Sequence, residues 1–117
     1  MRQAVRAVAL ALIASGISTL ASATGSQWTE PLQISHIEIV GSGGFILYFA
    51  GFYDSNCSSD PTGIYVYPNA EGVTSTGVNQ MLATALMVQA TGGTLSMLYD
   101  DTGNVSAGLC FGELLKE

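Results

Sequence analysis

The sequence predicts a mainly β domain with one helix, in the order strand, strand, strand, helix, strand, strand, behind a cleaved signal peptide. Three observations carry this. The first 23 residues have the form of a secretory signal. After them, most apolar runs are short, rich in β-formers, and separated by glycine, asparagine and aspartate. A single stretch, 77–91, changes to a helical period.

The signal comes first in the chain. Arg2 and Arg6 make a short basic start, residues 7–13 are an unbroken apolar run, and Ala21-Ser22-Ala23 is the small-x-small pattern that signal peptidase accepts. Cleavage is expected after Ala23, leaving 24–117 as a single domain. A transmembrane helix needs about 20 mostly apolar residues, and Ser15, Gly16, Ser18 and Thr19 interrupt the run well before that. A lipoprotein signal needs a cysteine at the cut, and the first is Cys57; a twin-arginine signal needs adjacent arginines. The expectation is a secreted or periplasmic protein without a stable membrane anchor.

Residues 24–31 read as a polar loop carrying the only tryptophan, Trp28. LQISHIEIV follows as a strand. Ile37 and Ile39 alternate with His36 and Glu38, while Ile34 is out of phase, which predicts a bulge near Ser35-His36 or partial cover on both faces. Gly41-Ser42-Gly43-Gly44 supplies a hairpin turn. FILYFAGFY, 45–53, is apolar on both faces and so reads as a central strand, with Gly51 marking a bend. The loop 54–63 holds Cys57, and Ile64 to Tyr67 alternate as a short third strand ended by Pro68.

In the helical stretch, Val78, Met81, Leu82, Ala85 and Leu86 share one face. Ser75 or Thr76 can cap its start, and Gly92-Gly93 can end it. Residues 94–99 return to alternation, with Leu95, Met97 and Tyr99 on one side. DDTGN is a turn, and 105–115 hold Cys110 and a last short strand. Five strands with a helix between the third and fourth is the order of the OB-fold, a small Greek-key barrel. The helix is expected to plug one end of the barrel.

Loss of the signal removes both arginines. The domain keeps Lys116 against nine acidic residues, a formal charge of −8 with His36 neutral. Such a surface cannot neutralise phosphates, which excludes nucleic acid and anionic membranes as partners. It favours basic or neutral partners, or cations. In an exported chain two cysteines read as one disulfide, Cys57–Cys110. Two cysteines and one histidine cannot complete a four-ligand zinc site, so no metal and no cofactor is expected.

No catalytic motif appears. His36 has Ser35 beside it, but adjacent strand residues point to opposite faces, and a pairing with Cys57 would need the disulfide to be absent. A polar residue on the outer strand face is the preferred reading. Asp54, Asn56 and Asp60, and likewise Asp100, Asp101 and Asn104, are oxygen-rich loop clusters. Counted from Asp54, the sixth and twelfth positions are Ser59 and Tyr65, where a calcium loop of the EF-hand type needs Gly and Glu. Both clusters therefore read first as turns.

Trp28, Tyr48, Tyr53, Tyr65 and Tyr67 are the aromatic candidates for ligand contact. Tyr65 and Tyr67 share a face opposite Ile64 and Val66, and are exposed if those two are core. Tyr65, Tyr67 and Trp28 are the weak ligand-binding set, against the plainer reading of tyrosine as a good strand residue.

SQWTE, the strand IEI, GFYDSNC, the helical MLATALMVQATGG and a late cysteine together resemble small secreted bacterial OB-fold proteins, among them the B subunits of subtilase-cytotoxin-type and pertussis-type AB5 toxins. The resemblance spans most of 28–112. It implies a non-catalytic module, often a ring pentamer, that binds surface glycans. A sialic acid carboxylate is often met by a basic side chain; here hydroxyls and backbone amides would have to serve. The main expectation is a secreted, non-catalytic binding module for a protein or glycan, with homo-oligomerisation possible. The alternatives are a glycan-binding toxin B subunit, and a small periplasmic enzyme or inhibitor acting through the Cys57 loop.

Overall fold

The computed structural model describes residues 25–102 and 108–117. The segment 1–23 expected to be a signal, Asn104 and the start of the 105–115 stretch lie outside the described residues.

The elements are β1 (Ser26–Trp28), β2 (Leu32–Val40), β3 (Gly44–Phe49), β4 (Gly63–Val66), α1 (Ser75–Thr91), β5 (Thr94–Asp100) and β6 (Cys110–Lys116). Strands β2 to β6 close a five-stranded barrel in the order β2-β3-β4-β6-β5, with β5 returning to β2. All pairs are antiparallel except β4–β6, which is parallel. This is the OB-like order expected from the sequence.

β2 and β3 form the hairpin, and the register slips between Ile34 and His36, at the expected bulge. β3 is buried along almost its whole length, as a strand apolar on both sides should be. It stops at Phe49 rather than running to Tyr53. Gly51 adopts a φ of 82°, and the chain turns there. Phe52 then folds back edge-on against Tyr99, with ring centroids 5.3 Å apart.

Phe45, Leu47, Ile64, Val66, Leu95 and Met97 fill the barrel and are fully buried. Cys57 and Cys110 join this core through their disulfide, with Cα atoms 5.4 Å apart and 53 positions between them in sequence.

The 24–31 segment is not wholly loop. Ser26–Trp28 pairs antiparallel with Leu98 to Asp100 on β5, and Leu32 and Gln33 pair with Leu95 and Thr94 of the same strand. Between them the Thr29 amide donates to Met97 O at 2.9 Å, and the Met97 amide donates to Thr29 Oγ1 at 3.1 Å. β1 and β2 thus behave as one first strand interrupted around Pro31. Polar SQW carries no periodicity, so this pairing is visible only from the partner strand.

The helix begins two residues before the expected start. Thr74, not Ser75 or Thr76, is its N-cap, and its Oγ1 accepts from the Gly77 amide at 3.0 Å. Gly92 ends it in the left-handed conformation, as expected. Its buried residues are Val78, Ala85 and Val88, with Met81 and Leu82 packed partly against the core. Leu86 is exposed, contrary to expectation. At about 100° per residue, Val88 extends the face set by Val78, Met81 and Ala85 on the Met81 flank, and Leu86 lies beyond the opposite flank. Among the described residues no helix is long and apolar enough to cross a membrane.

Candidate functional site: an aromatic strip and a carboxylate end

With Ile64 and Val66 inside the barrel, Tyr65 and Tyr67 turn outward, but they are half-buried rather than freely exposed. The cause is ring packing. Their rings stack at 6.2 Å, and Phe111 of β6 closes on both at 6.1 and 6.3 Å. On the neighbouring strands His36 lies flat on Tyr48, centroids 4.3 Å apart and 13° from parallel. One strip of rings therefore crosses β2, β3, β4 and β6.

Asp60 joins the two halves of the strip. Its Oδ2 accepts from the Tyr48 hydroxyl at 2.9 Å and the Tyr65 hydroxyl at 3.0 Å. Burial, the hydrogen bond to Asp60 and the Asp60 charge push the Tyr65 phenol up to about 12, and the same causes raise Tyr48. Both hydroxyls hold their protons as donors. Two glycines let the rings lie close to the sheet. A Cβ at Gly63 would sit 2.8 Å from Tyr48 Cε1, and one at Gly44 would sit 2.8 Å from the Tyr67 ring.

Trp28, the third candidate, lies elsewhere. It is 43% exposed, and Lys116 Nζ sits 4.4 Å above its ring. Trp28 and the two tyrosines do not form one patch. Asp60, Phe111 and His36 complete the strip, and sequence reasoning did not group them with the tyrosines. The signal available was the shared outward parity of Tyr48, Tyr65 and Tyr67.

The two oxygen-rich loops converge at the end of β5. Asp101 is buried; its Oδ2 accepts from Gln27 Nε2 at 2.7 Å and Asn56 Nδ2 at 2.9 Å. Burial and the neighbouring Asp54 carboxylate raise its pKa, while the two amide donors oppose that rise. Asp54 accepts from the Tyr99 hydroxyl at 2.8 Å and from the Asn56 amide at 2.9 Å.

Beside them Glu71 hydrogen-bonds Asp100 and Glu113, and the Ser26 hydroxyl donates to Glu113. Burial and these two carboxylates push Glu71 up to about 7. Asp100 is held below the ordinary carboxylate range: burial acts upward, but hydrogen bonds from Thr102 and Glu71 outweigh it.

His36 pairs with Glu38 at 3.5 Å on the open outer face. Cys57 is bonded to Cys110, so neither sulfur is a free nucleophile or metal ligand, and of these three neighbouring groups Asp54 alone keeps a ligand atom.

No family model matches the chain, and comparisons with curated proteins and with solved structures return no significant match.

Proposed function

We propose that this protein is a secreted or periplasmic binding module, without catalytic activity, that takes a neutral glycan on the aromatic strip of β3 and β4. The observation that carries this reading is the shared carboxylate: two tyrosine rings are locked on either side of Asp60 by hydrogen bonds to a single oxygen. Flat rings offer apolar surface for sugar faces, and an acceptor between them suits sugar hydroxyls. The strands concerned are the second and third of the barrel, the face on which OB-folds bind oligosaccharides and oligonucleotides. The charge balance disfavours the nucleotide branch.

The test is a glycan array with the mature domain, including neutral and sialylated glycans, followed by titration of the best binder. Binding of neutral glycans, weakened about tenfold or more by Tyr65→Ala, supports the reading; each lost stacking contact of this kind is worth roughly a tenfold change in affinity. Absence of glycan binding, or indifference to Tyr65→Ala, overturns it, and turnover of any bound glycan overturns the non-catalytic part.

A second reading, a toxin-type B subunit, rests on the barrel order together with the Cys57–Cys110 bond. Mass in solution tests it: a ring of about five copies supports the B subunit, and a monomer removes it.

A further inference from the structure

β6 is paired unequally on its two edges. Against β5 it is paired from Phe111 to Lys116, but against β4 only Cys110 and Phe111 are paired, because β4 ends at Val66. From Glu113 onward no described strand covers the edge facing away from β5. A groove of about 360 Å³ lies along that stretch. Val73, Met81, Leu114 and Leu115 give it apolar lining, and Glu113 and Thr84 are among the polar residues that line it. At 3.3 Å per residue, Glu113 to Leu115 offers about three residues' length of strand edge.

The charge around this groove is one-sided. Glu113 is hydrogen-bonded to Glu71, which is also bonded to Asp100, and the hydroxyl of Ser26 is the neutral donor to Glu113. Glu71 is carried there by a loop in which Asn69, Glu71 and Gly72 all adopt positive φ. The mature sequence has one lysine, Lys116, and it sits over Trp28. Three carboxyl groups set close together are complementary to a cation brought from outside.

We infer that the free edge of β6 and the groove beside it dock an extended basic peptide of a partner protein, added as a strand, with an arginine or lysine reaching the Glu113, Glu71 and Asp100 carboxylates. Strand addition takes its affinity from main-chain hydrogen bonds and its specificity from side-chain pockets. Here the apolar lining suits alternate valine- or leucine-sized side chains, and Glu113 with its neighbouring carboxylates sets the charge. The inference is independent of glycan binding, which uses the outer face of β3 and β4.

The test uses the mature domain and capped fluorescent heptapeptides of alternating valine and threonine. One has a central arginine, one has glutamate at that place, and one is the arginine peptide N-methylated at alternate residues. Anisotropy is expected to show binding of the arginine peptide, at least about tenfold weaker binding of the glutamate peptide, and loss on N-methylation. Glu113→Gln is expected to weaken the arginine peptide about tenfold with the melting temperature retained. Thr84→Tyr, which fills the groove from the helix, is expected to abolish binding.

Failure of the arginine peptide to bind overturns the proposal. So does equal binding of the charge variants, or indifference to N-methylation or to both substitutions. Calcium alone, raising the melting temperature in a Glu113-dependent way with no peptide bound, would replace it with a cation site. Self-association lost in Glu113→Gln would replace it with pairing between copies of this chain.

Discussion

Asp60 occupies a turn-rich loop where aspartate is expected on conformational grounds alone, yet it accepts hydrogen bonds from tyrosines on two different strands. A carboxylate beside a half-buried phenol disfavours the phenolate twice, by its charge and by binding the neutral donor. Asp60→Asn keeps an acceptor and removes the charge. The tyrosinate titration, followed by ultraviolet absorbance, should then move to lower pH for Tyr65 from its midpoint of about 12, with Tyr48 moving in the same direction. An unchanged titration would show that the Asp60 charge contributes nothing and that burial and the retained hydrogen bond set both values. The outward parity of the tyrosines was legible, since Tyr65 and Tyr67 alternate with the fully buried Ile64 and Val66. Asp60 was not, because nothing local separates an aspartate that shapes a turn from one that reaches across a sheet.

Among the elements, β5 gathers the most partners. It pairs with β6 along one edge and with β1 and β2 along the other, and it ends in Asp100 and Asp101. That end is where Glu71, raised from 4.5 to about 7, meets Asp100 and Glu113. A carboxyl whose pKa is raised on folding binds its proton more tightly in the folded chain. Its stabilising contribution is complete below about 4.5 and is lost as pH rises through about 7. Asp101, also raised, acts in the same direction; Asp100, lowered, contributes stability that is lost only as pH falls through the acidic range. The melting temperature of the wild type should therefore drop between about pH 4.5 and 7, and Glu71→Gln should flatten that drop because glutamine stays neutral. A wild type flat over this interval, or a variant with the full drop, would contradict the assignment. The element order and the bulge in β2 were legible because alternation and its phase error are local properties. The exposed Leu86 and the buried Val88 were not, because both satisfy a helical period and only the barrel decides which flank of the face it covers. β1 was missed for the same reason, since its pairing depends on how far β5 extends beyond β2.

At the scale of the whole molecule, barrel closure is uneven, and the disulfide sits at one of the two shortest seams. The β2–β3 hairpin is paired over six residue pairs, whereas the parallel β4–β6 seam has two, one of which involves Cys110 itself. The Cys57–Cys110 bond fastens the loop before β4 to the first residue of β6, and the Ser59 amide adds a hydrogen bond to Gly108 O at 2.9 Å. Closing a 53-residue separation restricts the unfolded chain by about 4 kcal/mol in the chain-entropy picture, against a net stability of about 5–15 kcal/mol for a typical domain. The global expectation for a Cys57→Ala/Cys110→Ala variant is thus a large fall in the urea midpoint. The local expectation is more specific. An effect confined to the unfolded chain would lower protection against amide exchange evenly across the globally exchanging core. A bond that also holds the seam would, on removal, let β4 and β6 exchange by local opening while the β2–β3 hairpin continued to exchange with global unfolding. The short parallel seam, with a free β6 edge immediately beyond it, makes the second outcome the expected one. Equal loss of protection in seam and hairpin would assign the disulfide's whole contribution to the unfolded state.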